Sequence, residues 1–373
     1  MEGGQAGTVL VLSASYGSGH NQVAQAVRQA LIASWVPSVS LLDHFETFVH
    51  PTFDRVTRGL YFSLLKTAPG LWGLLYDLSD SLPVHSRFMF GMNHLGKRRL
   101  ARYLAEARPA VVVSVHPTPA GAVSALKAEG VSIAHVTVFT DFVVHTQWVY
   151  PHVERYCVPC EDAALSLEAR GIERERIVVT GVPIRDRFFR TLDRGVLRSK
   201  YGLRKDQPVV LVMAGARATV GGLSAVLRVL RSLPVNCQGV FVCGHDHILV
   251  NRLSRLAGPQ VRVFGYVEAV EELMALSDVL VTKAGAVTLS EAIVMDLPLV
   301  LFHSLPGQER ANQRYLEEAG AAITARSEKE LSRALQGLLT DPVLSEKLRS
   351  NLRRMRRPDP AGAVAQEILA LRQ

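Results

Sequence analysis

The sequence predicts an α/β protein made of two Rossmann-like domains that face a cleft. Short apolar runs alternate along the chain with segments of helical periodicity. The runs are apolar on both faces, as are the strands of a parallel sheet covered by helices. This alternation occurs twice in succession, and 373 residues are more than one hydrophobic core usually serves.

The first series of strands begins near the N-terminus. Residues 8–13 read TVLVLS, and a glycine-containing turn leads from them into an amphipathic helix over residues 20–34. Residues 53–107 interrupt the alternation, and their Trp, Tyr, Phe and Arg content predicts a helical insertion. Such a segment fits two packed helices with a solvated basic face, or a surface that lies on a membrane. The other strands of this series are predicted at residues 39–42, 111–115, 133–139, 155–158 and 177–179.

A charged stretch without a strand, residues 181–205, predicts a linker between the two domains. The N-terminal domain is then residues 1–180 and the C-terminal domain residues 206–373. The last helix of the chain is a candidate to cross back to the N-terminal domain. The strands of the second series are predicted at residues 209–213, 240–243, 261–264, 279–282 and 299–302.

The chain is basic, with 42 Lys and Arg against 34 Asp and Glu and a formal net charge of +8. A basic surface favours an anionic partner: a nucleic acid, an anionic membrane or a phosphorylated substrate. The arginine-rich run at residues 352–357 comes without a helix-turn-helix, zinc-finger or RNA-binding motif, so no nucleic acid is expected. No apolar run approaches the ~18–20 residues needed to span a bilayer, so membrane contact is expected to be peripheral.

Cysteine and histidine content predicts neither a disulfide framework nor a metal site. Four cysteines are too few for a disulfide-rich scaffold, and reduced thiols in the cytoplasm are expected. Cys157 and Cys160 form one CxxC pair, whereas a zinc site would need a second. The GHDH sequence at residues 244–247 has no further ligands nearby. No metal and no cofactor are therefore expected.

The turn after the first predicted strand, SYGSGH at residues 15–20, is the leading candidate for chemistry. Gly17 and Gly19 allow a tight turn and a close approach of the backbone to a ligand. His20 falls in the first helical turn, where it is either a general base near neutral pH or a histidine that only caps the helix. Gln22 replaces the third glycine of a GxGxxG motif, so a dinucleotide site with Asp43 on the ribose is weakly supported.

Another acid follows the predicted strand at residues 133–139. Asp141 stands at the carboxyl end of this strand, with His145 and Trp148 shortly after it. Ligands of α/β proteins bind at this edge of a sheet, so Asp141 is expected to face the cleft. The alternative is an aspartate that caps the next helix.

Two further groups follow strands of the second series. Gly285 and Glu291 come after the strand at residues 279–282, where a carboxylate suits two ribose hydroxyls and turn amides suit a diphosphate. Otherwise Glu291 is an acid that the helix dipole stabilises. Polar side chains after the next strand are placed for sugar hydroxyls, or simply begin a helix: Gln308, Glu309 and Asn312.

Taken in order along the chain, these motifs resemble the monogalactosyldiacylglycerol synthases and the processive diacylglycerol glucosyltransferases. The resemblance covers nearly the whole chain. It implies the GT-B fold and an inverting, metal-independent transfer of a hexose from a UDP-sugar to diacylglycerol or a glycosylated diacylglycerol. The segments that carry it are SASYGSGHNQVAQAV, VSVHP, TDFVVHTQWVYPHVERYCVPCEDAALSLEARGI, VTGVPI and TKAGAVTLSEAIVMDLPLVLFHSLPGQERANQRYLEEAG.

The resemblance also implies roles for individual residues. His20 matches the family's catalytic or acceptor-side histidine, and Asp141 matches an acid that lines the cleft. The C-terminal domain is expected to hold the donor, with Gly285 near the diphosphate and Glu291 on the ribose. Further donor-binding residues are expected to be Gly215, Arg217, Thr288, Gln308, Glu309 and Asn312. Residues expected to contact the acceptor or the anionic membrane, on its cytoplasmic face, are Gly17, Gly19, Trp72, Lys97, Arg98, Arg99, Arg102, His116, His145 and Trp148.

The chain departs from the family at two glycine-rich turns. Alanine stands at positions 214 and 216 of one turn and at positions 284 and 286 of the other. Each added methyl group can crowd a phosphate or restrict the backbone, and Arg217 is placed to compensate by meeting the diphosphate. Three alternatives therefore stay open: an N-acetylglucosaminyltransferase acting on a polyprenyl-linked peptidoglycan precursor, a non-catalytic nucleotide-sugar or lipid-binding protein, and a nicotinamide oxidoreductase.

Overall fold

The computed structural model describes residues 7–15, 17–49, 51–81, 94–213 and 220–372. These residues pack as two units. Unit 1 contains the described residues up to 186, residues 306–308 and those from 357 onward. Unit 2 contains the described residues of 187–305 and 309–356.

The sheet of unit 1 is made of β1 (Val9–Ser13), β2 (Val39–Asp43), β3 (Val111–Ser114), β4 (Ala134–Val138), β5 (Arg155–Val158) and β6 (Ile177–Val179). The strands are parallel, in the order β2-β1-β3-β4-β5-β6. Val9 pairs with Val39 on one side and with Val111 on the other, so the carboxyl ends of these strands are level. β1 and β3 are buried along their whole length, as expected for strands covered by helices.

The helices of this part of the chain are α1 (Ser18–Ala33), α2 (His44–Phe48), α3 (Pro51–Thr67), α4 (Pro69–Asp80), α5 (Lys97–Ala107), α6 (Pro117–Ala128) and α7 (Glu161–Glu168). α3, α4 and α5 confirm the helical insertion over the residues described there. α5 is amphipathic and buries Leu100 and Leu104. No helix in the described part of the chain is long and apolar enough to cross a membrane.

The sheet of unit 2 is made of β7 (Val209–Met213), β8 (Gln238–Val242), β9 (Val261–Phe264), β10 (Val279–Thr282), β11 (Leu299–Phe302) and β12 (Ala322–Ala325). These strands are also parallel, in the order β12-β11-β10-β7-β8-β9. The helices that follow them along the chain begin with α8, which precedes β7: α8 (Arg194–Lys200), α9 (Val220–Ser232), α10 (His247–Leu256), α11 (Val270–Leu276), α12 (Ala286–Val294), α13 (Gln308–Glu318), α14 (Glu328–Thr340) and α15 (Pro342–Met355).

Two parallel sheets in two Rossmann-like units confirm the predicted fold class. The edge strand β12 was not predicted, because its sequence AITA is short and only partly apolar. α8 lies inside the stretch 181–205 that the sequence predicts as the linker. The last helix, α16 (Pro360–Ala370), belongs to unit 1 and packs against α1.

Candidate active site

A chain of hydrogen bonds shapes the turn between β1 and α1. Ser13 Oγ donates to Asn21 Oδ1 (2.6 Å), and Asn21 Nδ2 donates to Ser15 Oγ (3.0 Å). Ser15 Oγ in turn donates to Asp43 Oδ2 (2.6 Å), while the other oxygen of Asp43 accepts two backbone N–H groups at the start of α2. Asp43 therefore serves the turn and the cap of α2. The turn that it fixes sets the direction of the first residues of α1.

His20 lies half-buried in the first turn of α1, beside the carboxyl end of the sheet. Its Nδ1 is 2.8 Å from the carbonyl oxygen of Val115. Because a carbonyl oxygen only accepts, the neutral ring carries its proton on Nδ1 and a lone pair on Nε2. Thr140 Oγ1 lies 3.2 Å from the same Nδ1 and donates to Asp141 Oδ2 at 3.4 Å. Nε2 is thus the nitrogen that can take up a proton.

Burial and charge act in opposite directions on His20. Burial lowers the pKa of its imidazole from the usual 6.5, while the negative charge of Asp141 and the bond to Val115 raise it. The lowering prevails. Burial also holds the pKa of the neighbouring His116 well below its ordinary value, helped by the adjacent rings of His20 and His44. Both His20 and His116 are therefore neutral near pH 7.

Two aromatic side chains enclose His20. The ring of His116 lies edge-on to it with centroids 4.7 Å apart, and the ring of Trp148 is 6.4 Å away. His116 is the N-cap of α6, where its Nδ1 accepts the backbone N–H of Thr118 (3.2 Å). Trp148 stacks on Phe139 at 4.8 Å. Unit 1 therefore gathers four residues that the sequence singled out: His20, His116, Asp141 and Trp148.

A second polar cluster lies at the carboxyl edge of the sheet of unit 2. Lys283 directly follows β10, and its Nζ forms an ion pair with Glu309 Oε1 on α13. Glu309 Oε2 accepts the backbone N–H of Leu305 (2.9 Å). Asn312 is fully buried and its Nδ2 donates to the carbonyl oxygen of Ala284 (3.3 Å). These bonds hold the turn after β10 against α13, so Asn312 has a positioning role in that turn.

The turn after β10 leads into α12, whose N-cap is Gly285. No side chain caps this helix, so its first N–H groups are open to an anion. Thr288 is half-buried in the first turn, and Glu291 is buried one turn later. Ala284 and Ala286, which replace family glycines, are buried and do not adopt left-handed backbone angles. Their methyl groups therefore impose no backbone strain. Gly215, Arg217 and the alanines at positions 214 and 216 lie outside the described residues.

The residues predicted to touch the membrane are spread over the insertion. Arg98, Arg99 and Arg102 are exposed on α5, whereas Lys97 is largely covered and pairs with Glu129. Trp72 is half-buried on α4. Gly17 is exposed and Gly19 half-buried beside His20, while His145 is buried against α4. Gln308 begins α13 but packs with unit 1.

Sequence reasoning missed several residues that the structure brings forward. Lys283 stands in the quoted segment TKAG, directly after a predicted strand, which was a usable signal. α4 exposes four leucines at helical spacing, a pattern that could also have been read from the sequence: Leu71, Leu74, Leu75 and Leu78. The roles of Thr140 and of the Val115 carbonyl left no such signal, because both depend on packing between distant segments.

Known proteins match the whole chain. Residues 20–184 match the sequence profile of monogalactosyldiacylglycerol (MGDG) synthase, and residues 209–366 that of the glycosyltransferase family 28 C-terminal domain. A processive diacylglycerol beta-glucosyltransferase of Bacillus mycoides is 33% identical over 366 residues, which are 97% of this chain and 93% of the relative. A protein of the same description from Bacillus cereus is 32% identical over the same shares of the two chains.

Solved structures share the fold at low sequence identity. MurG of Acinetobacter baumannii has a TM-score of 0.65 and 17% identity, covering 97% of this chain and 99% of its own. The calicheamicin glycosyltransferase CalG4 has a TM-score of 0.66 and 15% identity, with 98% of each chain covered. The chain therefore has the GT-B glycosyltransferase fold and belongs to the family of the monogalactosyldiacylglycerol synthases and processive diacylglycerol glucosyltransferases.

Proposed function

We propose that the protein transfers a hexose from a UDP-sugar to a membrane lipid, diacylglycerol or a glycosyl-diacylglycerol, with inversion at the anomeric carbon. The observation that carries the proposal is His20, whose Nδ1 is bonded to the Val115 carbonyl so that Nε2 can accept a proton. The relatives described as diacylglycerol glucosyltransferases support the lipid acceptor. They do not favour the peptidoglycan alternative, since MurG at 17% identity shares the fold alone.

The reaction is a single displacement in this proposal. The acceptor hydroxyl oxygen attacks C1 of the donor hexose while its proton passes to Nε2 of His20. The bond between C1 and the β-phosphate oxygen breaks, and its electron pair leaves with UDP. Attack from the face opposite the leaving group inverts the anomeric centre. The imidazolium that forms is stabilised by Asp141, whose charge reaches the ring through Thr140 Oγ1.

Charge on the departing UDP needs a counterpart, and unit 2 offers one. Lys283 Nζ lies at the carboxyl end of β10, beside the uncapped N-terminus of α12. An ammonium group and helix-terminal amides both stabilise a diphosphate. We infer that they act without a metal ion. Transfer that continues at an unchanged rate in EDTA is the expected result, and restoration of lost activity by added Mg²⁺ would contradict it.

The insertion supplies a surface suited to the cytoplasmic face of a membrane in this proposal. α3 exposes Val56 (67%) and Leu60 (69%), and α4 exposes four leucines, among them Leu74 (55%) and Leu78 (53%). The exposed arginines of α5 suit anionic lipid headgroups. Apolar side chains together with arginines are the composition of an interfacial surface.

Removing two of these leucines is expected to weaken membrane binding. The double substitution Leu74→Ser and Leu78→Ser removes apolar area worth about 2 kcal/mol, or roughly 30-fold in affinity for vesicles. Co-sedimentation with vesicles of phosphatidylcholine and phosphatidylglycerol measures the change. Val343→Ser is the matched control, because Val343 is 78% exposed on unit 2. Equal binding of the double variant and the native protein would show that α4 does not meet lipid.

The whole proposal is tested with purified protein, UDP-glucose or UDP-galactose, and vesicles that contain diacylglycerol. Glycolipid and free UDP are measured together, and the anomeric configuration of the product is read by NMR. Equal amounts of the two products, with the anomeric configuration opposite to that of the donor, are expected. UDP without glycolipid would contradict the lipid acceptor, and bound UDP without turnover would contradict the enzyme.

A further inference from the structure

The last turn of α4 is fixed to the loop that follows β4. Asp80 Oδ1 accepts the backbone N–H of Thr146 (2.7 Å) and lies 3.0 Å from its hydroxyl. The same hydroxyl donates to the carbonyl oxygen of Asp80 (2.6 Å). Arg170 lies 3.6 Å from Asp80 and donates to the carbonyl oxygen of Val144 (3.2 Å), which ties the helix end to a second point of the loop.

His145 joins the same loop to α4. Its Nδ1 accepts the backbone N–H of Gln147 (3.1 Å), so the proton of the neutral ring is on Nε2. Nε2 lies 3.1 Å from the carbonyl oxygen of Tyr76 and 3.2 Å from Ser79 Oγ. The rings of His145 and Tyr76 are 4.4 Å apart. We call the contacts of Tyr76, Ser79 and Asp80 with His145 and Thr146 the α4 clamp.

The clamped loop supports the candidate base from both of its ends. It begins at Thr140 and Asp141, which are linked by hydrogen bonds to His20 Nδ1. It ends at Trp148, whose ring lies 6.4 Å from that of His20. The clamp holds the middle of the loop, so a shift of α4 would move Asp141 and Trp148 relative to His20.

The other side of α4 faces solvent with an apolar surface. Its helix of 12 residues exposes Leu71 (49%), Leu74 (55%), Leu75 (45%) and Leu78 (53%). The helix buries only Gly73 completely. Its own apolar packing therefore fixes it weakly, and a lipid surface that covers the leucines would hold it more firmly.

We propose that the α4 clamp couples docking of α4 on lipid to the placement of Asp141, with Asp80 as the positioning residue. The inference rests on the proposed function, because it takes the leucine face of α4 as the lipid contact. Docking then brings the loop to the position that suits proton transfer to His20. The protein works faster on a lipid surface than on the same acceptor in solution.

The kinetic test compares two forms of acceptor. One is diacylglycerol in vesicles with phosphatidylglycerol, and the other is a short-chain diacylglycerol kept monodisperse. The native protein is expected to have the higher kcat on vesicles. Asp80→Ala is expected to lose about 10–100-fold in kcat on vesicles, so that the two rates become similar, while its KM for the donor and its vesicle binding stay the same. Asp77→Ala, an exposed acid on the same helix, is the control.

A fluorescence test needs no activity. Trp35→Phe and Trp72→Phe leave Trp148 as the only tryptophan of the chain. Its emission is expected to shift when vesicles bind, and this shift is expected to vanish with Asp80→Ala. A shift that depends on Asp80, in a protein that transfers no sugar, would support the clamp and refute the proposed function.

Three results would overturn the inference itself. One is a native ratio of the two rates in Asp80→Ala. Another is an equal loss on both acceptors, which would mean that Asp80 only supports the fold. The third is an unchanged Trp148 signal when vesicles bind the native background.

Discussion

Replacing His20 by alanine is expected to lower kcat about 10²–10⁴-fold, the range that a general base contributes. The variant loses the nitrogen that accepts the acceptor proton, while the donor-binding residues proposed in unit 2 are untouched. The KM for the UDP-sugar is therefore expected to change little. Initial rates of glycolipid formation measure the loss, and UDP binding measured by calorimetry checks that the donor site is intact.

The control for His20 is His152→Ala, which removes an exposed histidine of the same unit. It is expected to retain the native rate. Added imidazole is expected to restore part of the activity of His20→Ala, because it can take the proton in place of the lost ring. A variant without His20 that keeps a native kcat would refute the role of this residue as the base.

The pH dependence follows from the direction of the His20 pKa shift. The base must be neutral, and burial lowers its pKa from 6.5, so kcat/KM is expected to fall only below pH 6.5. The charge of Asp141 raises that pKa, so Asp141→Asn is expected to move the acid limb of the profile further down and to lower kcat. An acid limb that moves up in this variant would contradict the assignment.

Replacing Lys283 by glutamine is expected to lower kcat about 10²–10³-fold, the cost of losing a group that stabilises charge in the transition state. The diphosphate gains negative charge as the bond to C1 breaks, so Lys283 matters more in the transition state than in the bound donor. A large loss in kcat with a small change in the donor KM is the expected signature.

The ion pair with Glu309 complicates this substitution and also provides its control. Lys283→Gln leaves the carboxylate of Glu309 nearly buried without its cation, at a cost of up to about 3 kcal/mol in stability. The double substitution with Glu309→Gln removes that charge and is expected to recover stability in thermal unfolding without recovering kcat. Recovery of both would show that Lys283 only holds the turn after β10.

Local sequence patterns predicted most of the fold. Strands such as β1 and β10 are short runs of apolar residues, and their burial on both faces leaves little choice of structure. β12 escaped prediction because the sequence AITA is too short to stand out from a helix or a loop. The boundary of α1 was placed two residues late, since Gly17 rather than His20 is adjacent to its first helical residue.

The candidate site divides in the same way. The sequence by itself determined that His20 follows the first strand, that Asp141 follows β4, and that Lys283 and Gly285 stand between β10 and α12, because each lies next to a local pattern. Only the tertiary structure decided which nitrogen of His20 is the base, since its partner Val115 lies 95 residues away. The tertiary structure likewise brought Lys283 to Glu309 and Thr146 to Asp80. Such contacts arise when strands and helices from distant parts of the chain pack at one edge of a sheet, and the periodicity of a single segment carries no information about them.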